Sequence, residues 1–482
     1  MVSIAALALL LAAQQPPPPD PADKALAEKL VERMLRCMNE GRFSMGRALA
    51  EHITERFPGT PSAARARAFT SDTTFLTMAP VDITGPTANR LDLVVMGDGV
   101  PYEDAAQNSW QKEAEALLKL LFKTQVLREY APYFNTYRAH VASKDARPSR
   151  PDTPAMTFFR SMEQEGELTV NAGMAQGVTG LLGGNDRLGI VHVRVSGAEH
   201  GRSENGIAAV AFGHPSSAMI LHAFGHAFAG LADEAASRKS MGTMERKIKD
   251  PPPPPPAPNI SETKDPAAVP WAHWLKAKAE GDKRASKIGI MEGAALRPQK
   301  VWRPVDESLC VMNDGAEFCP VCREITVLLL YSYVRPIDEA LPFDKMVVGE
   351  AGGSVKLWIR ALRPATHKLT VGWIVEKVLD GSSSGSDAQG RAGDLTGLRC
   401  DYGKPGSRRG EGTAWKMPPG RPYDSDPSPD PANQKDTLTL DPARFGPGRY
   451  RVTAVVRDFT EWVLRDEQNL LVDWRTWIVE LK

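Results

Sequence analysis

The feature that most restricts what this chain can fold into is residues 206–234. There an apolar run, GIAAVAF, leads through a short break into LHAFGHAFAGLADE. The first part has the length and composition of a buried strand. The second reads as an apolar helix, and Gly230 lets the chain leave it. Residues four apart share a helix face, so His222 and His226 can aim both imidazoles at one point. Two such rings can hold a cation through nitrogens about 2.0–2.1 Å away, and Asp233 or Glu234 can add a carboxylate as third ligand. The same spacing occurs on core helices whose histidines are simply satisfied. The strand before it and the glycine and acids after it favour a site.

The flanking sequence repeats the strand–helix rhythm. LDLVVMGDGV closes an apolar strand on a Gly-Asp-Gly turn. The helix Asn108–Phe122 carries Trp110, Ala114, Leu117, Leu118 and Leu121 on one side, and YFNTYRAHVAS reads as the next strand. LGIVHVRVSG at 188–197 alternates like a half-buried strand. Together these predict an α/β layer. Upstream, Leu26, Leu30, Val31, Met34, Leu35 and Met38, then Met45, Leu49, Ile53 and Phe57, mark two helices, and FPGTPSAARARA opens a third. Residues 20–70 therefore read as a tetratricopeptide-like helical hairpin. A single such unit cannot bury both its faces, so it should pack on its neighbour. The run KDPPPPPPAPN, near 250–258, is an exposed polyproline insertion that acts as a spacer. From 343 to 482, short β-like runs such as SVKLWIRAL and GRYRVTAVVRD predict an all-β sandwich, with long loops over 380–435.

Lys plus Arg and Asp plus Glu number 59 each, so the chain has no basic field for nucleic acid. The opening MVSIAALALLLAAQQPPPP carries an apolar run of about ten residues, the length of a secretory signal, although no Lys or Arg precedes it. Residues 1–15 are read as a signal peptide, which puts the mature chain in the periplasm, on the cell surface or outside the cell. No later run is long enough for a membrane span. Cys310, Cys319 and Cys322, three of five cysteines, are spaced C-x8-C-x2-C. They can form one disulfide plus a thiol, or three ligands of a metal site. Export favours the disulfide, because a closed zinc site needs a fourth ligand that the segment does not show.

LVVMGDGV with its following helix, YFNTYRAHVAS, HAFGHAFAGLADE, APNIS, MEGA and CVMNDGAEFCPVC, in this order over roughly residues 85–335, resemble the IgA-peptidase family of secreted zinc metallopeptidases. The resemblance implies a zincin-like metallopeptidase domain over 85–340 with a β-sandwich behind it. It also implies Zn2+ as cofactor and a protein or peptide as partner. On the family's helix pattern, H-E-F-G-H-S-F-G-G-L-A-D-E-Y, His222 and His226 match the zinc histidines and Asp233 the third ligand. Met312 falls where a zincin places a methionine turn, an ordinary core methionine being the alternative. Peptide would lie along the strand 188–195.

Two positions depart from the pattern. Ala223 replaces the glutamate that serves as general base, and Ala235 replaces the tyrosine. A methyl group neither accepts nor donates a proton, and loss of a positioned acid/base forfeits roughly 10²–10⁴-fold in rate. The leading expectation is an exported pseudoprotease that keeps zinc and a peptide-binding groove. One alternative is an active zinc endopeptidase with Glu234, Glu199 or Glu204 as substitute base. Another is an envelope or surface interaction protein in which the zincin domain is scaffold.

Overall fold

The computed structural model describes residues 20–40, 42–70, 73–164, 166–182, 188–194, 200–201, 203–211, 216–236, 256–378 and 436–482. The expected signal peptide, most of the proline-rich insertion and all of the loops at 380–435 lie outside the described residues.

Three helices open the chain: α1 Pro21–Asn39, α2 Phe43–Arg56 and α3 Pro61–Arg67. Each of the two that begin with proline is capped by the residue before it, Asp20 accepting from the Ala22 amide and Thr60 from that of Ala63. Val31, Met34, Ala50, Ile53, Ala63 and Ala66 close a small core of their own. Met38 and Phe43 pack on Leu76 and Ala142 of the neighbouring sheet. The helical unit thus leans on the sheet edge, as a lone hairpin with a second apolar face must.

That sheet has six strands: β1 Thr74–Asp82, β2 Leu91–Asp98, β3 Phe134–Ala142, β4 Leu188–Val193, β5 Ser203–Glu204 and β6 Ile207–Ala211, in the order β1-β3-β2-β4-β6-β5. The four inner strands are parallel and the two edges antiparallel. Helix α4, Asp104–Leu121, makes the crossover from β2 to β3. Leu93, Val95, Ile190 and Val210 face the same core as Trp110 and Leu117 of that helix. Val94, Met96, Val191 and Ala209 face a second core on the other side. Both sheet faces are covered, so the inner strands read as continuous apolar runs.

Two expectations change here. Strand β4 is buried at every residue rather than half-buried. It also lies between β2 and β6, with its backbone already paired on both sides, so no peptide can lie along it. The Gly-Asp-Gly turn after β2 has a structural role. Asp98 is fully buried and accepts from Ser143 Oγ (3.1 Å) and from the amides of Phe159 (3.0 Å) and Ser161 (3.3 Å), which folds the 143–161 loop onto the strand end.

The β-rich C-terminal part begins at Ile337, slightly before the expected 343, because Ile337–Leu341 pairs with Val355–Ala361. One sheet joins these two strands to Thr437–Leu440. The other contains Met346–Val348, Val472–Leu481, Gly448–Arg457 and Thr370–Val378. Leu357 and Ile359 of the first and Val452, Trp477 and Val479 of the second lie in one continuous core with the α4 side of the large sheet. A polar network ties the parts together. The Asp458 carboxylate, 0% exposed at its side chain, meets His367 Nε2 at 2.8 Å and accepts from Tyr331 Oη at 2.6 Å and Tyr130 Oη at 3.0 Å. His367 Nδ1 lies 2.8 Å from Glu129 Oε1. Arg90 pairs with Asp338 at 2.7 Å, both nearly inaccessible to solvent. Among the described residues no helix is long and apolar enough to cross a membrane.

Candidate metal centre

The two histidines lie on helix α5, Ser217–Ala229. Ser216 caps its start by accepting from the Met219 amide. Gly230, at φ 60°, ends it in the left-handed conformation that a glycine takes without strain. The chain then turns back along the helix, and the Leu231 amide donates to the Gly225 carbonyl at 3.2 Å. This return brings Asp233 to the histidine face.

His222 Nδ1 lies 2.9 Å from the Val311 carbonyl and His226 Nδ1 lies 2.6 Å from the Leu231 carbonyl. A carbonyl oxygen only accepts, so both rings carry their proton on Nδ1 and turn the lone pair of Nε2 inward. The two Nε2 atoms are 2.9 Å apart, and Asp233 Oδ1 is 3.2 Å from one and 3.3 Å from the other. Three acceptors thus converge on one point, an arrangement that requires a proton or a cation among them. Their spacing is close to the edge of about 3.3 Å expected of a tetrahedral site with bonds of about 2.0–2.1 Å. The donor set therefore fits a metal ion. Each side chain keeps about a quarter of its surface open to solvent, which leaves room for a further ligand.

The electrostatics agree with the geometry. Burial works against charging His222, but the Asp233 carboxylate and the Val311 carbonyl outweigh it and raise its pKa. Burial also acts to raise the pKa of Asp233, and the two imidazoles overcome this and hold it far below the ordinary carboxylate range.

The short helical turn Val311–Asn313 supports the site from the other side. Its Val311 carbonyl fixes His222, and its Met312 carbonyl accepts from the Glu234 amide at 2.8 Å. Met312 is fully buried against α5, where a Cβ on Gly225 would come within 3.0 Å of its sulfur. Gly225, between the two histidines, is what lets the turn approach.

The residues after the helix are held by Asn259, which sequence reasoning passed over. Its Oδ1 accepts from the Ala232 amide (2.8 Å), and its Nδ2 donates to the Ala232 carbonyl (2.9 Å) and to Glu234 Oε1 (3.1 Å). The APNIS segment carries this residue, but nothing in its spacing links it to the helix. The strand Met291–Ala294, which contains MEGA, leads into a turn whose Ala295 and Leu296 amides donate to the carbonyls of Asp233 and Ala235. Asn259→Ala leaves the Ala232 amide and the Glu234 carboxylate short of a partner. Denaturant unfolding should show a loss of about 1–3 kcal/mol, and an unchanged midpoint would contradict this role.

Two sequence-based assignments are corrected. Glu234 was a candidate third ligand beside Asp233 and a candidate substitute base. Consecutive residues of the returning chain point opposite ways, and Glu234 is 0% exposed, with Oε1 2.9 Å from Cys322 Sγ. Turned into the cysteine pocket, its carboxylate cannot reach a ligand of the histidine site and is no base for one; burial, reinforced by Cys310, raises its pKa. Glu199 and the side chain of Glu204 lie outside the described residues. The expected disulfide is also absent: Cys310, Cys319 and Cys322 are free, buried thiols. The carboxylate that completes their cluster comes from the α5 loop rather than from their own segment.

Ala223 is nearly buried and presents only a methyl group, while its carbonyl accepts from Ser203 Oγ of β5 at 3.0 Å. No family model matches the chain, and no curated protein matches it.

Proposed function

We propose that this chain is an exported homologue of the IgA-peptidase metallopeptidases. In this reading a zincin-like domain is followed by a β-sandwich, and the protein holds zinc and binds peptide but does not hydrolyse it appreciably. The observation that carries the reading is the convergence of His222 Nε2, His226 Nε2 and Asp233 Oδ1 within 3.3 Å, with both Nδ1 atoms committed to carbonyls. Zinc bound there would act as a Lewis acid toward a carbonyl or a water. The proton acceptor that such hydrolysis needs beside the first histidine is missing at Ala223, and Glu234 is committed to the cysteine pocket.

The sheet edge favours a binding role. Among the described residues strand β5 pairs only with β6 and lies beside α5, so an extended peptide could add its backbone there. This replaces the interior strand β4 as the docking edge.

Metal analysis of the purified protein tests the metal assignment. His222→Ala or His226→Ala should each lower the zinc content by one ion per chain. An unchanged zinc content in both variants would refute the centre.

A further inference from the structure

We propose that Cys310, Cys319, Cys322 and Glu234 form a second metal site, closed and structural, that takes one thiophilic divalent ion of the zinc class. Their four donor atoms lie within 4.8 Å of one another. All four residues are buried, none more than 1% exposed. A tetrahedral ion bonded to sulfur at about 2.3 Å holds its sulfurs about 3.8 Å apart, a separation this cluster accommodates. So compact a group suits a single ion rather than an iron–sulfur cluster, whose cysteines bind separate irons. A disulfide would use two sulfurs and leave a thiol and a carboxylate stranded in the core.

Two further features point to a ligand. Glu234 Oε2 is buried and has no hydrogen-bond partner among the described residues, a costly state that a bound cation removes. The surroundings also suit thiolates. Cys319 is the N-cap of helix α6, Pro320–Tyr333, and Cys322 lies in its first turn, where the helix dipole favours negative charge. The Cys319 amide donates to Cys310 Sγ at 3.3 Å. Asn259 Nδ2 offsets charge on the carboxylate. Soft sulfur donors select zinc over calcium or magnesium.

The site also has a positioning role. Asp233 and Glu234 are adjacent, so one dipeptide would serve both centres. An ion among the cysteines would pin the loop that carries the third ligand of the histidine site. The inference does not depend on that first centre, because its ligands are separate residues.

The decisive experiment uses the full chain with His222→Ala/His226→Ala, purified with zinc and then exchanged with Co2+. One ion per chain should remain, and the cobalt form should show sulfur-to-metal charge-transfer absorption in the near ultraviolet. Adding Cys319→Ser/Cys322→Ser should abolish both the ion and the band. Alkylation after unfolding in chelator without reductant should modify all five cysteines. Absence of the band, or two cysteines refractory to alkylation until reduced, would overturn the proposal. If the histidine variant keeps all its metal while the band persists, the histidine centre fails and this one stands.

Discussion

Replacing Ala223 with glutamate is expected to give the protein chelator-sensitive cleavage of casein about 10²–10⁴ times faster than the unaltered chain. The argument is one of a single missing proton acceptor. The three candidate ligand atoms are convergent, the tautomers of the two histidines are set, and the turn at Met312 supports them. Position 223 directly follows the first histidine, and its methyl group cannot take part in proton transfer. The comparison is a digestion assay on the two proteins with and without chelator. Chelator-sensitive cleavage of equal rate by both would remove the pseudoprotease reading. A glutamate variant that binds zinc yet cleaves nothing would remove the peptide groove.

The second large effect is expected at Asp458. Its carboxylate gathers His367, Tyr130, Tyr331 and the Thr460 amide where the C-terminal sheets meet the large domain. Asp458→Ala leaves the buried Tyr130 and Tyr331 hydroxyls and the partly buried His367 and Thr460 without this acceptor and should cost about 3–5 kcal/mol, read by denaturant unfolding. A loss below about 1 kcal/mol would show that the network contributes little.

The pH dependence should follow the same contacts. Burial acts to lower the pKa of His367, but Asp458 and Glu129 outweigh it and raise it. The stabilisation from His367 is therefore complete below the unfolded value of about 6.5 and is lost as pH rises through the raised folded value. Glu129 behaves in the opposite sense. Burial acts to raise its pKa, the Thr366 and His367 contacts lower it, and its contribution is lost only as pH falls through that lowered value. In Asp458→Ala the loss of stability on the alkaline side should flatten.

Much of the scaffold was legible because it is written locally. The period of Trp110, Ala114, Leu117 and Leu121 marks α4, and the apolar runs of β2, β4 and β6 mark strands. The i, i+4 histidines and Gly230 locate the helix and its end. Illegible were the directions in which neighbouring side chains leave an irregular turn. Asp233 and Glu234 are chemically alike and adjacent, yet one meets two imidazoles and the other three sulfurs. The half-buried reading of 188–197 failed over Leu188–Val193 for a related reason. His192 and Gly189 interrupt the apolar run, but both faces of the sheet are covered, so they are buried all the same.

By itself, then, the sequence determined the elements and the chemistry available: helical and strand periods, caps, a pair of ring nitrogens on one face, and the lack of a base at Ala223. Only the tertiary structure decided which distant groups share a site. It brought Val311 to His222, Asn259 to the loop after the helix, and Glu234 to Cys310, Cys319 and Cys322. The physical reason is that backbone propensity acts over a few residues. Burial and the need to satisfy every enclosed polar group act across the whole folded chain.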